Sequence, residues 1–280
     1  MNVHIKNKEE LNKKIEKIKR DGINSLHVIA DWDRTLTKEF FEGERTCTSF
    51  EHIRKSGFLS EEYTKKSYAL FDHYYPIEQS DEISAKEKNE KMYEWWSKHL
   101  QLLIESGLKK EFILDMIKKE HTHIRDGFNE FFKLLEKHSI PILIFSAGLG
   151  DVIKEFLINK NQLYHNVHII SNFFRFDDNN KIIGFENEII HSMNKKEVEI
   201  KQFLYYGEIK ERKNVILLGD TLGDLEMAEE VDHDCIIKIG FLNKPDENKF
   251  EKFSNSFDVV VLNDGDLNYV NELIKLILSS

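Results

Sequence analysis

Short apolar runs rich in β-branched residues recur along the chain, at residues 26–30, 140–145, 167–171, 215–218, 235–239 and 259–262. Each is the length of one strand and shows no polar alternation, the pattern of strands covered on both faces. Between most of them the apolar spacing becomes helical, clearly over 127–135 and more briefly over 224–231. Leu11, Ile15 and Ile18 mark an amphipathic, solvated helix within the Lys/Glu-rich stretch 6–20. Strands alternating with helices predict an α/β fold with a doubly wound, mainly parallel sheet. Two segments depart from the alternation. Residues 173–190 place the turn cluster Asp177-Asp178-Asn179-Asn180 between two strand-like runs, which predicts a β-hairpin. From about residue 40 to 121 no buried strand is evident and helical spacing dominates, for example over 92–103 and 112–117. The predicted organisation is an α/β core of residues 1–40 and 122–280 with an inserted helical cap domain, 41–121, lying over the strand ends.

Composition narrows the function classes. With 280 residues, 40% hydrophobic and 32% charged, the chain suits one large or two modest globular domains, and only 3 prolines and 13 glycines argue against long linkers. A net charge of −10 disfavours a broad polyanion-binding surface, so no nucleic acid polymer is expected as a partner. Cys47 and Cys235 match neither a disulfide framework nor a metal spacing. The first 20 residues contain neither the apolar core of a signal peptide nor a membrane span. A cytoplasmic monomer with no membrane partner is the expectation.

The candidate chemistry sits at the carboxyl ends of the predicted strands, where α/β sheets bind ligands. Asp31 and Asp33 follow the run 26–30 with one residue between them. Acids this close repel unless a cation or proton lies between them, which points to phosphoryl transfer on Mg²⁺. Asp31 is the expected nucleophile and a metal ligand, and Asp33 the acid/base that protonates the leaving group and then activates water. Ser146 and the Ala147 amide, before the helix opened by Gly148-Leu149-Gly150-Asp151, are expected to grip the phosphate. Asp220 ends the run 215–218 and reads as a metal ligand. Asp224, one helical turn on, is expected to orient the metal shell. Lys195 is expected to neutralise the transferring phosphoryl group. Thr35 and Thr221 are open between phosphate contact and helix capping. The order strand-Asp, strand-Ser, Lys, strand-Gly-Asp resembles the haloacid dehalogenase superfamily, which implies that fold and a backbone carbonyl of Asp33 as a further metal ligand.

Longer strings resemble the cytosolic 5′-nucleotidase III, or pyrimidine 5′-nucleotidase, family. They are Ile29-Ala30-Asp31-Trp32-Asp33-Arg34-Thr35-Leu36, His138-Ser139-Ile140-Pro141-Ile142, and Ile144-Phe145-Ser146-Ala147-Gly148-Leu149-Gly150-Asp151-Val152. Val167-His168-Ile169-Ile170-Ser171-Asn172-Phe173, Asn194-Lys195, Ile216-Leu217-Leu218-Gly219-Asp220, Tyr74-Tyr75-Pro76-Ile77-Glu78 and Lys238-Ile239-Gly240-Phe241-Leu242-Asn243 extend the likeness over nearly the whole chain. The resemblance implies Mg²⁺-dependent hydrolysis of nucleoside 5′-monophosphates through an aspartyl-phosphate. It implies that Glu78 in the cap hydrogen-bonds the base, with Trp95, Trp96 or His99 beside it. Because adjacent helical residues point about 100° apart, both tryptophans are not expected to touch the base. The sequence departs from the family pattern at Trp32 (usually Phe), at Thr221-Leu222 (usually Ser-Gln) and at His99, where a small hydroxyl residue is expected. Cytosine, uracil and 7-methylguanine all remain open as the base. Nucleoside phosphotransfer, turnover of another small phosphomonoester, and nucleotide binding without catalysis are the competing readings.

Overall fold

The computed structural model describes residues 2–80, 82–118, 122–195, 205–228 and 232–279. The second expected helical pattern, over 224–231, ends outside the described residues; within them it is a 3-10 helix, Leu222–Ala228. The last residues assigned to the cap, 119–121, also lie outside them.

The strands are β1 Val3–Ile5, β2 Leu26–Ala30, β3 Phe40–Phe41, β4 Glu44–Arg45, β5 Ile142–Leu149, β6 Val167–Asn172, β7 Phe174–Phe176, β8 Ile182–Phe185, β9 Asn214–Gly219, β10 Cys235–Leu242 and β11 Val259–Leu262. Seven of them form one sheet in the order β1-β11-β10-β9-β2-β5-β6. The sheet is parallel except for β1, which runs antiparallel to β11 at the edge. The chain leaves β2 to one side for β5 and β6, then crosses back to β9 on its other side. The carboxyl end of β2 is therefore the switch point of the strand order, where a crevice opens between diverging connections.

Strand pleating explains the unbroken apolar runs. Val28, Ile144, Ile216 and Ile239 face a cluster built with α1 Lys8–Asp21, α6 Phe128–Lys137, α7 Gly150–Asn159 and α10 Asn268–Leu278. Ile29, Leu143, Phe145 and Leu217 face the opposite cluster, with Tyr205, Met227 and Ile209 of α8 Tyr206–Ile209. Leu11, Ile15 and Ile18 of α1 are buried in the first cluster, so this helix is a layer of the core and not merely solvated. On the far side of β10, Leu242 meets Phe253 of α9 Glu247–Ser256 and Phe257. β1 escaped the sequence reading because three residues carry too little periodicity to register.

The predicted hairpin is present as β7 and β8. The region expected to be helical holds α2 Ser49–Lys55, α3 Glu61–Gln79, α4 Ala85–Glu105 and α5 Lys110–Lys118, preceded by the small β3–β4 hairpin. Thr48, Ser60 and Ser84 each cap a helix by accepting from the amide three residues on. An antiparallel bridge between Thr37 and Ile124 joins the outgoing and returning chain at the root of the insertion. Among the described residues, no helix is long and apolar enough to cross a membrane.

Just past that root stands Arg125, 1% exposed. Its guanidinium donates to the carbonyls of Arg34, Thr35 and Gly265 and to Asn243 Oδ1, pairs with Asp264 at 3.1 Å, and lies 4.4 Å over the Phe241 ring. Arg34 has φ 67°, a left-handed conformation that a β-carbon disfavours. Arg125 and Asn243 hold its carbonyl and so fix the turn that follows Asp31 and Asp33. Replacing Arg125 with Met should cost about 3–5 kcal/mol, since the largely buried Asp264 loses its cation and the Thr35 and Gly265 carbonyls lose this donor; urea unfolding at pH 7 checks this.

Burial pushes His27 and His99 down to about 3. Both are neutral in the fold and protonate on unfolding below pH 6.5, so the stability they contribute is full above that value and falls as pH drops from 6.5 toward 3. The slope is at most roughly 1.4 kcal/mol per pH unit for each histidine. The raised carboxyls of Asp31 and Asp151 act in the opposite direction over this range, so the check is a difference: chemical denaturation of wild type and His99→Gln from pH 7 to 4.5 should show the wild type losing stability faster by the share of one histidine.

Candidate active site

The pleat that buries β2 also sorts the residues after it. Trp32 is 2% exposed and packs edge-on against Phe128 and Phe156 at 6.1 and 5.6 Å, which anchors the turn in the core. Asp31 and Asp33, on either side, reach other partners. Asp31 is 4% exposed, and its amide donates to the Leu218 carbonyl, tying it to the end of β9. From that strand end come Asp220 and, through the 3-10 helix, Asp224. Oxygens of Asp31, Asp220 and Asp224 lie within 4.8 Å of one another. Gly219 allows this: a β-carbon there would stand 2.4 Å from the Asp224 β-carbon.

Lys195, 5% exposed, donates to Asp31 Oδ1 and, at 3.0 Å, to Asp224 Oδ1. The other oxygen of Asp224 accepts from the Asp220 amide and from the amide and hydroxyl of Thr221 at 2.9–3.1 Å. Asp224 thus ties down the loop and the lysine. Asp220 has the Thr35 hydroxyl at 3.5 Å, the outer limit of a hydrogen bond. Three carboxylates face one ammonium. Burial pushes the Asp31 carboxyl up, opposed by Lys195 and aided by Asp224. Burial also raises Asp220 well above the usual range, with Asp224 and Asp31 adding to it. Burial disfavours the charge on Lys195, but Asp224 and Asp31 outweigh it and keep the ammonium protonated. A cluster with excess buried negative charge and only hard oxygen donors fits a divalent cation such as Mg²⁺.

On the other side of β2, the β5–β6 register breaks between Phe145 and Leu149. Ser146, Ala147 and Gly148 thereby leave the regular ladder at the strand end. Ser146 Oγ accepts from the Gly148 amide at 3.0 Å. A β-carbon on Gly148 would stand 2.1 Å from Ser49 Oγ, 2.9 Å from Asp33 Oδ2 and 3.1 Å from Ser146 Oγ, so the glycine gives three side chains room to converge. Asp33 accepts from the amide and hydroxyl of Ser49. Burial raises its carboxyl, and the Ser49 bonds act against the rise. Asp151 lies within the first turn of α7, and its carboxylate accepts from the Phe174 amide at 2.7 Å, which holds the β7–β8 hairpin.

The insertion supplies the remaining candidates. Glu78, half-buried in the last turn of α3, accepts from the Ser192 hydroxyl at 2.6 Å. Trp96 donates from Nε1 to the Ala147 carbonyl at 3.0 Å and meets the rings of Phe50 and His191 at 6.0 and 6.2 Å. Trp96 thus stands where the insertion meets the β5 loop. Trp95 does not: it is 7% exposed, stacked on Tyr74 at 5.8 Å in a cluster with Met92. The helical turn between neighbours sends one tryptophan into the insertion's core and leaves the other for the crevice. His99 is 4% exposed, its Nε2 bonded to the Tyr63 hydroxyl at 3.1 Å and its ring 5.0 Å from Phe50. It supports Phe50 from within the insertion.

Four residues that position these groups were not singled out from the sequence. Arg125 holds the turn after Asp33. Ser49 holds Asp33 itself. Ser192 holds Glu78. Asn172, 2% exposed, donates to the carbonyls of Ala147, Gly148 and Ile190 and accepts from the Ile190 amide, binding the β5 loop to the segment that carries Lys195. Thr48-Ser49-Phe50-Glu51 does carry a readable capping-box pattern; the other three gave no local signal.

The chain matches the family "Pyrimidine 5′-nucleotidase (UMPH-1)" over residues 34–278. It is 40% identical over 276 residues to the 7-methylguanosine phosphate-specific 5′-nucleotidase A of Xenopus laevis, covering 98% of this chain and 95% of the relative. Identity to the corresponding Homo sapiens protein is 37% over 262 residues, 93% and 87% of the two chains. Cytosolic 5′-nucleotidase IIIB bound to cytidine superposes with a TM-score of 0.92 at 32% identity, covering 99% of this chain and 94% of the other. A substrate-bound phosphoserine phosphatase, with a TM-score of 0.54 at 18% identity over 88% of this chain and 96% of the other, shares the fold alone. Nearly every residue from the first strand to the last helix is covered by one kinship, and the chain belongs to the pyrimidine 5′-nucleotidase family: it is a 5′-nucleotidase built on the haloacid dehalogenase fold.

Proposed function

We propose that the protein is a Mg²⁺-dependent hydrolase of nucleoside 5′-monophosphates, with 7-methylguanosine and pyrimidine monophosphates as its substrate class. The observation that carries this reading is the buried Asp31–Lys195–Asp224 arrangement with Asp220 at the switch point of the sheet. Asp31 and Asp220, with the Asp33 carbonyl, would hold the ion, and Asp224 would orient that shell. Bound there, Mg²⁺ supplies charge neutralisation that lets an anion approach a phosphate.

A carboxylate oxygen of Asp31 attacks phosphorus and the bond from phosphorus to the nucleoside 5′-oxygen breaks, leaving an aspartyl-phosphate. Asp33 gives its proton to the departing oxygen, then takes one from the water that cleaves the aspartyl-phosphate and restores Asp31. Lys195 spends two of its three donors on Asp31 and Asp224, and the third is available to a phosphate oxygen. The Ser146 hydroxyl and the Ala147 amide hold the other phosphate oxygens. In the insertion, Glu78 accepts from the base edge and Trp96 offers a ring face. A 7-methylated guanine carries positive charge, which suits both a carboxylate and an indole face. Cytosine presents an amino group to the same carboxylate. The relatives named for 7-methylguanosine phosphate and the neighbour bound to cytidine support this class. A cytosolic setting is in keeping with that neighbour's name.

Phosphate release from cytidine, uridine, adenosine, guanosine and 7-methylguanosine 5′-monophosphates should be confined to the first two and the last, should require Mg²⁺, and should stop with EDTA. Metal-dependent release from none of the five would remove the substrate assignment. Asp31→Asn should lower kcat by more than about 10³-fold, since loss of a covalent nucleophile leaves only binding and electrostatics, while equilibrium dialysis still detects bound nucleotide. Retained turnover in that variant would place the nucleophile elsewhere. Trp96→Ala should raise KM by about 10-fold or more, as one lost base stack is worth roughly 1–3 kcal/mol, whereas Trp95→Phe should leave KM within about twofold.

A further inference from the structure

One buried side chain of the insertion reaches the carboxylate of the core's catalytic turn. Ser49, the first residue of α2, is 1% exposed. Its amide donates to Asp33 Oδ1 at 2.9 Å and its hydroxyl to Asp33 Oδ2 at 2.8 Å. The Thr48–Glu51 capping box satisfies the amides of those two residues reciprocally, which leaves the Ser49 amide for Asp33. The hydroxyl also accepts from the Leu149 amide at 3.1 Å. A directed chain therefore runs from the end of β5, through one hydroxyl of the insertion, to the carboxylate beside the nucleophile. Each bond in such a chain polarises the next and fixes its direction. The space it occupies is the one that the missing β-carbon of Gly148 leaves open.

An ordinary helix start needs no carboxylate from outside its own turn, and α2 already has its cap. The second partner makes the arrangement specific. Both oxygens of Asp33 are held by one residue of the insertion, so lifting the insertion removes both bonds together and frees the carboxylate to rotate.

We propose that Ser49 is a positioning residue for Asp33, through which the seating of the helical insertion sets the geometry of proton transfer. This rests on the assignment of Asp33 as acid/base made above. Ser49 exchanges no proton and touches no substrate. It holds Asp33 beside Ser146, so that the Asp33 proton passes to the leaving 5′-oxygen as the ester bond breaks, and the proton of the attacking water returns to the same carboxylate. Chemistry is thereby tied to a seated insertion, and a substrate whose base draws the insertion down is also the one whose leaving group is protonated.

The test compares wild type, Ser49→Ala, Ser49→Thr, Asp33→Asn and the Ser49→Ala/Asp33→Asn pair on a nucleoside 5′-monophosphate and on 4-nitrophenyl phosphate, both with Mg²⁺. The nitrophenolate leaves without protonation, so Asp33 is dispensable in the first step with that ester and needed only for the water step. Ser49→Ala keeps the amide bond to Oδ1, so part of the acid/base contribution of about 10²–10⁴ is lost: kcat on the nucleotide should fall about tenfold with KM within about twofold. With 4-nitrophenyl phosphate, acid quenching should trap more aspartyl-phosphate in Ser49→Ala than in wild type. Ser49→Thr, which keeps the hydroxyl, should recover most of kcat. In the Asp33→Asn background, Ser49→Ala should change kcat by less than about twofold, because a residue acting only through Asp33 is silent without it. Unchanged kcat in Ser49→Ala, a change in KM alone, or an equal loss with and without Asp33 would each overturn the positioning role. Full activity in Asp33→Asn would overturn the acid/base assignment as well. Should Ser49→Ala not fold, Ser49→Cys keeps the volume and weakens the donor, and its kcat should fall between those of wild type and Asp33→Asn.

Discussion

Two buried carboxylates and a half-buried third surround one lysine at the point where the strand order of the sheet reverses. Oxygens of Asp31, Asp220 and Asp224 crowd within 4.8 Å, and Lys195 pairs with only two of the three acids. Uncompensated charge of this kind is costly in a protein interior. It persists here because the backbone leaves it no alternative: Asp31 is fixed to Leu218, and Asp224 to the amides of Asp220 and Thr221. Excess negative charge carried by hard oxygen donors is what a divalent cation would offset, which is the chemistry the proposed function asks of this cluster.

The rest of the architecture serves to hold this cluster still while leaving an opening beside it. The apolar sheet provides stiffness through two packed faces. The turn after β2 needs more, since Arg34 is left-handed and Asn243 alone would otherwise hold its carbonyl. Arg125, far along the chain, supplies a second donor. Asn172 does the same between the β5 loop and the segment before Lys195. Single buried side chains whose hydrogen-bonding groups are engaged can fix two loops relative to each other more rigidly than apolar contact, because hydrogen bonds are directional.

The helical insertion is joined to the core chemically and not only by packing. Trp96 bonds the Ala147 carbonyl, Glu78 bonds Ser192, and Met193 packs in the Tyr74–Met92–Trp95 cluster. The segment that ends in Lys195 is thus bonded to the insertion at one end and to Asp31 at the other. On the proposed function, Glu78, which Ser192 holds, meets the base end of a substrate, and Lys195, three residues past Ser192, meets the phosphate end.

What the sequence by itself determined is the part governed by local period and local order. Six of the seven sheet strands, the β7–β8 hairpin, the helical insertion and the sequence of strand-end acids were legible because each depends on residues within one run. Local reading stopped where length or partner mattered: β1 was too short, and the amphipathic pattern of α1 gave its buried residues, Leu11, Ile15 and Ile18, but not the sheet face they cover. The pair Trp95 and Trp96 shows the same limit, since period states that they diverge but not which one faces the crevice. Tertiary structure decided that, and it decided which distant side chains hold the site. Ser49, Arg125, Asn172 and Ser192 have no local signature for these roles because each satisfies a hydrogen-bonding group on another segment. Such pairing is a demand of burial, and burial exists only after the chain has folded.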